Sequence, residues 1–186
     1  MGPARKVATY AALEAMPANQ VGEIVGGVLH ASRRPSARHA AASSALGEEL
    51  GPPFRRGRGG PGGWVILDAP ELHLSADVVV PDLAGWRRAG LPDDAFDGAA
   101  VTVAPSWVCE VLSRSTARFD RHDKLDVYKR EAVAHVWLVD PSAQTLEILR
   151  LDGPTYRLAA TFAGDASIRA EPFDAIELPL GALWTI

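Results

Sequence analysis

Residues 106–141 read SWVCEVLSRSTARFDRHDKLDVYKREAVAHVWLVDP. Its ends are β-prone runs, SWVCEVL and HVWLVD, the second closed by Pro141. The second half of the segment between them predicts a helix, with Leu125, Tyr128 and Ala132 at i, i+3 and i+7 on one apolar face. In a strand alternate side chains share a face. Trp107, Cys109 and Val111 therefore line one side, and Val108, Glu110 and Leu112 the other. A carboxylate thus sits among apolar neighbours in the strongest strand of the chain. An unpaired buried charge costs several kcal/mol. Glu110 must face a cation, a metal or water; a strand-end pairing with an arginine is the plainest alternative.

Upstream, DVVVPDLA (77–84) reads as one strand with Val78, Val80 and Asp82 on one face. Beside the Glu110 strand it would bring Asp82 and Glu110 together. Two carboxylates ~4 Å apart at an effective dielectric near 20 repel by about 4 kcal/mol, so a shared proton or a bound cation is required. All-oxygen ligands favour a hard ion, magnesium or manganese, that keeps several waters. Lysine is rare here: of 19 basic residues only Lys6, Lys124 and Lys129 are lysines. Lys124 opens the helix after the Glu110 strand, on a stripe with Arg121 and Tyr128. A solvated lysine paired i,i+4 with Asp120 is the alternative.

The rest predicts a mixed α/β domain around a central sheet, one domain over residues 1–186. A short helix (8–16) stops at Pro17. VGEIVGGVLHAS (21–32) is a hairpin turning at Gly26-Gly27. SARHAAASSALGEEL (36–50) is a helix ended by Gly51-Pro52-Pro53. FRRGRGGPGG (54–63) is a loop; WVILDA (64–69) and ELHLS (71–75) are strands; 84–105 is irregular. QTLEILRL (144–151) and TYRLAATF (155–162) are strands, and FDAIELPL (173–180) is a last edge strand. Hydrophobic residues make up 47% and the net charge is −4, which excludes wholesale disorder and a basic coat protein. A single cysteine excludes a disulfide framework and a multi-cysteine zinc site. No apolar run nears a membrane span, the start lacks a secretory stretch, and Gly2 lacks the partner residue of a myristoylation signal. A cytoplasmic protein without an anchor is expected.

Other signals are weaker. Gly57-x-Gly59-x-x-Gly62 matches a dinucleotide fingerprint in form, but a strand and not a helix follows, so a loop is expected. Arg33, Arg34 and Arg38, and Arg55, Arg56 and Arg58, are candidate contacts to a nucleic-acid backbone, with Arg121 a further one; solvated loops are the alternative. Cys109 reads as a core cysteine. His39, His122 and His135 read as surface histidines, with a lean of His39 towards the site as an alternative.

Pro81-Asp82, Glu110-Val111-Leu112 followed by S-x-S-T, and DRHDKLDVYKREAVAHVWLVDP resemble the Uma-type restriction endonucleases, a bacterial branch of the PD-(D/E)XK nuclease superfamily. The resemblance runs from about residue 9 to the C-terminus. Its hairpin pattern "yELidGel" is matched at Glu23, and its "SPrHq" at His39. Leu112 fills the slot of the signature lysine, and Lys124 stands where this branch carries its lysine on the following helix. Gly26 and Val28 replace polar residues of the pattern, and Ala132 replaces a glycine. The resemblance implies a restriction endonuclease-like fold, a mixed central sheet flanked by helices. It implies a DNA endonuclease, a homodimer by expectation, with Asp82, Glu110, Glu23 and Lys124 as catalytic residues. Asp82, Glu110 and a carbonyl near Val111 would hold Mg2+ or Mn2+, and Lys124 would position the attacking water or offset phosphorane charge. The rival readings are a catalytically silent module of the same fold and a hydrolase of another phosphodiester.

Overall fold

The computed structural model describes residues 7–185; Gly2 and Lys6 lie outside them. In chain order the elements are α1 (Tyr10–Glu14), β1 (Gln20–Val25), β2 (Val28–Arg33), α2 (Ala37–Leu50), β3 (Trp64–Asp68), β4 (Leu72–Leu74), β5 (Asp77–Val79), β6 (Leu83–Arg87) and β7 (Trp107–Val111). Then come α3 (Ala117–Phe119), a π-helical turn (Asp120–Lys124), α4 (Leu125–Arg130), β8 (His135–Asp140), β9 (Thr145–Asp152), β10 (Thr155–Ala163), β11 (Ser167–Ile168) and β12 (Leu178–Pro179).

The decisive stretch forms a β–α–β unit. β7 and β8 are parallel, Trp107 opposite His135, and the helical segment makes the crossover such a pair needs. Antiparallel neighbours extend them to a six-stranded mixed sheet, β10-β9-β8-β7-β6-β3. A four-stranded sheet, β2-β1-β5-β4, carries the hairpin. Alternation along β7 sorts two cores as expected. Trp107, Cys109 and Val111 pack with Leu46 and Leu50 of α2. Val108 and Leu112 pack with Val127 and Tyr128 of α4. The central sheet is therefore flanked by helices on both faces. Among the described residues no helix is long and apolar enough to cross a membrane.

Three expectations are corrected. DVVVPDLA is not one strand: the chain leaves the four-stranded sheet after Val79 and joins the six-stranded one at Leu83, where the strand runs on to Arg87 through residues expected to be irregular. Pro81 has no N–H for a ladder and biases the residue before it, so the break falls there. The Pro52-Pro53 pair does not end α2 outright; unable to donate, the prolines give way to a wider π turn through Arg55, closed by Arg56 N–H to Gly51 O at 3.1 Å. The C-terminal run pairs only at Leu178–Pro179, with β11, away from the main sheet. Its Phe173 instead plugs the core between Phe54, Trp64, Trp107 and Trp137, at centroid distances of 4.7–5.5 Å.

Ala132, which ends the helical segment, has φ +56°, a left-handed conformation that costs any residue with a Cβ. Ala132→Gly is expected to stabilise the fold by about 1 kcal/mol in urea denaturation, with unchanged m-value. A neutral result would show that the glycine's extra unfolded-state entropy cancels the relief.

Candidate active site

The break at Pro81 delivers Asp82 to the end of β7. The antiparallel register sets Leu83 opposite Cys109, so one step further sets Asp82 opposite Glu110. There the Asp82 side chain replaces a ladder bond: its Oδ2 accepts the Val111 N–H at 2.7 Å. The same oxygen lies 3.3 Å from Nε2 of His39 on α2. Glu110 turns the other way, towards α4. Asp82 thus has His39 of α2 beside it, and Glu110 has Tyr128 of α4. Both line one cavity of about 440 Å³, with Glu23, His39, Val111 and Lys124.

Lys124 is the hub, and it is buried, with 2% of its surface exposed. Its ammonium lies 2.8 Å from Glu110 Oε1, 2.9 Å from Glu110 Oε2 and 3.0 Å from Glu23 Oε1. It also donates to the Val80 carbonyl at 3.2 Å and lies 4.0 Å from Asp120. The solvated-lysine alternative is thereby excluded, and Glu110 has its cation. The lysine sits at the end of a π turn, a device that re-aims side chains inside helices. Glu23, on β1, is fixed from below by the Val80 N–H, which donates to its Oε1 at 2.8 Å. Leu112, in the signature slot, is part of the apolar core beside α4.

Tyr128 completes the cluster: its hydroxyl donates to Glu110 Oε1 at 2.5 Å. Electrostatics follow from one ammonium among several buried acids. Burial would lower the Lys124 pKa, but Glu110, Glu23 and Asp120 hold it above the ordinary lysine range. Burial pushes the Glu110 carboxyl well up; Lys124 opposes this, while Asp120, Asp82 and Glu23 add to it. Burial likewise lifts Asp120 to about 6, against the pull of Lys124 and a Thr116 hydrogen bond. At His39 burial pulls the pKa down, but Asp82, with the Val111 backbone and Asp120 adding to it, outweighs burial and leaves it raised.

The arginines divide. Arg33 and Arg34 line the cavity, and Arg34 also donates to the Ala18 carbonyl. Arg38, Arg56 and Arg58 are exposed but do not line it, and Arg55 borders a separate depression with Asp68 and Glu71. Arg121 does not face the cavity. It forms a bidentate pair with Glu147 of β9, at 2.5 and 2.9 Å, because the π turn rotates it off the Lys124–Tyr128 stripe. Lys129 pairs with Asp126 at the surface. His122 is exposed, and half-buried His135 lies near Glu171. Sequence reasoning missed Asp120 and the Tyr128 hydroxyl as parts of the cluster, and it read His39 first as a surface histidine, with the lean towards the site only as the alternative. For His39 a signal was present: residues 39, 42, 46 and 50 form one stripe of α2, and the last three are buried.

Among the described residues no group of three or more His, Cys, Asp or Glu converges at metal-binding distances. The donor set nonetheless fits a hard ion that keeps most of its waters and takes one or two carboxylates. Asp82 Oδ1 makes no hydrogen bond among the described residues, and Val111 borders the cavity beside it. Glu110 offers a second carboxylate, already bonded to Lys124 and Tyr128.

A mixed sheet flanked by helices, with acids and a lysine gathered where its central strand ends, is a restriction endonuclease-like fold. Among solved structures the chain is similar to the crystal structure of "a putative nuclease belonging to DUF820" from Anabaena variabilis, with a TM-score of 0.70 and 17% sequence identity over 92% of this chain and 94% of that one. The Uma2 family model, described as "Putative restriction endonuclease", matches residues 7–181, and the chain belongs to this family. No curated protein matches.

Proposed function

We propose that this protein is a metal-dependent endonuclease that hydrolyses DNA phosphodiester bonds. The observation that carries the reading is the convergence of Asp82, Glu110 and Lys124, from three separate segments of the chain, on one cavity. Asp82, Glu110 and the Val111 carbonyl would hold Mg2+ or Mn2+. Such an ion, when bound, polarises the phosphodiester and lowers the pKa of a bound water. Lys124 keeps its proton, so it acts as a fixed positive charge and not as a base; it steadies Glu110 and Glu23 and offsets charge developing on the phosphate. Glu23 fixes the hub from the hairpin side. Tyr128 orients Glu110 by donating to it.

The test is nicking of supercoiled plasmid with magnesium or manganese, against a chelator control. Metal-dependent nicking by the purified wild type supports the reading, and its absence across both ions and varied DNA overturns it. One observation favours the rival, a silent module: both Glu110 oxygens are already engaged by Lys124 and Tyr128. A silent module would bind DNA or protein without cutting.

Arg33 and Arg34, on the cavity wall, are the first candidates to hold the flanking backbone. Arg33→Gln/Arg34→Gln is expected to flatten the log–log salt dependence of DNA binding by roughly two units. The same measurement on Arg55, Arg56 and Arg58 neutralised together reports whether that loop also touches phosphates. Two copies about a twofold axis would supply one site per strand, and β10 is an edge strand open to pairing.

A further inference from the structure

We propose that His39 is a positioning residue that turns Asp82 towards a bound divalent ion. The inference rests on the nuclease reading above. Two groups converge on one carboxylate oxygen: the Val111 N–H donates to Oδ2 at 2.7 Å, and His39 Nε2 lies 3.3 Å from the same atom. A carboxylate with a backbone hydrogen bond and a close imidazole on one oxygen is restrained in rotation, and its other oxygen, Oδ1, is left to ligate. One of these groups is backbone in the central strand. The other is a side chain, and α2 holds it in place.

α2 is anchored at both ends of the relevant stripe. Ser36 caps it, its hydroxyl accepting the His39 N–H at 3.3 Å. Ala42, Leu46 and Leu50, on the same stripe as His39, are buried in the core. The imidazole is therefore carried to Asp82 by a rigid element. Its ring Nδ1 is buried without a hydrogen-bond partner among the described residues. A histidine kept only for packing would ordinarily satisfy both nitrogens. Here the ring's acidic neighbour, among the described residues, is Asp82 at 3.3 Å. Groups that orient a ligand from behind typically set metal affinity by 10–100-fold.

Calorimetric titration with Mn2+ alone separates the outcomes. His39→Leu keeps the volume and removes the donor. His39→Gln carries an amide nitrogen near the Nε2 position. His39→Asn carries one too far back to reach Asp82. Wild type and His39→Gln are expected to bind Mn2+ with similar affinity, and His39→Leu and His39→Asn at least ~10-fold more weakly. Rescue by Gln but not Asn is a pattern that a packing role does not produce. Circular dichroism melts establish which variants fold. If His39→Leu does not fold, the Gln–Asn comparison decides. Equal Mn2+ affinity in wild type and the donor-less variants overturns the positioning role and leaves the nuclease reading standing. A wild type that binds no Mn2+ overturns the metal reading itself, and this inference with it.

Discussion

Lys124→Met is expected to cost about 3–5 kcal/mol of stability, the range for removing one partner of a buried charge cluster. The methionine nearly matches the lysine stem in volume, so the loss is electrostatic. It leaves Glu23, Glu110 and Asp120, all buried, around a neutral side chain. A solvated lysine would lose no more than ~0.5 kcal/mol. The pH dependence has a definite sign. Glu110 and Asp120 already have folded pKa values raised by burial, Asp120 to about 6, and removing the cation raises them further. Acids with a raised folded pKa bind protons more tightly in the folded state, so stability recovers as pH falls through that value. The deficit in urea denaturation should thus be smaller at pH 5.5 than at pH 8. Adding Glu110→Gln to Lys124→Met should restore part of it. A deficit independent of pH and of the second substitution would mean that Lys124 acts through packing.

Much of this fold can be read along the chain because it is carried by local patterns. The alternation in 107–111, the hairpin at Gly26-Gly27 and the helix of 36–50 each state their own structure. Glu110 announces itself as an acid in an apolar strand, and Lys124 as a rare residue one helix away. What escapes is set by contacts between distant segments. The break at Pro81 matters because two sheets exist for the chain to cross between, which no single strand declares. Phe173 looks like the start of an edge strand until four aromatic rings from elsewhere surround it. His39 lies on a stripe that local periodicity contains, but its value comes from Asp82, 43 positions away. Arg121 falls on the right stripe for an ideal helix and leaves it because of the π turn.

Asp82→Asn should separate catalysis from fold. Its carboxylate is the most accessible acid of the cluster, with a side-chain exposure of 20% against 8% or less for Glu23, Glu110 and Asp120. The asparagine oxygen can still accept the Val111 N–H. Stability should therefore change by no more than about 1 kcal/mol. The charge that would draw a divalent ion is gone, and with it the oxygen offered to that ion. Losing a residue behind a ligand already costs 10–100-fold, so losing the ligand should slow plasmid nicking by more than ~10². DNA affinity measured without divalent ions should hold or rise, since an acid is removed from beside the phosphate path. The silent-module reading expects something else: no nicking by the wild type, and binding indifferent to magnesium. A wild type that nicks in a metal-dependent way, together with an Asp82→Asn variant that folds and binds but nicks at the wild-type rate, would move the ion away from Asp82 and leave Glu110, Glu23 and Asp120 as the remaining carboxylates of the cavity able to hold it.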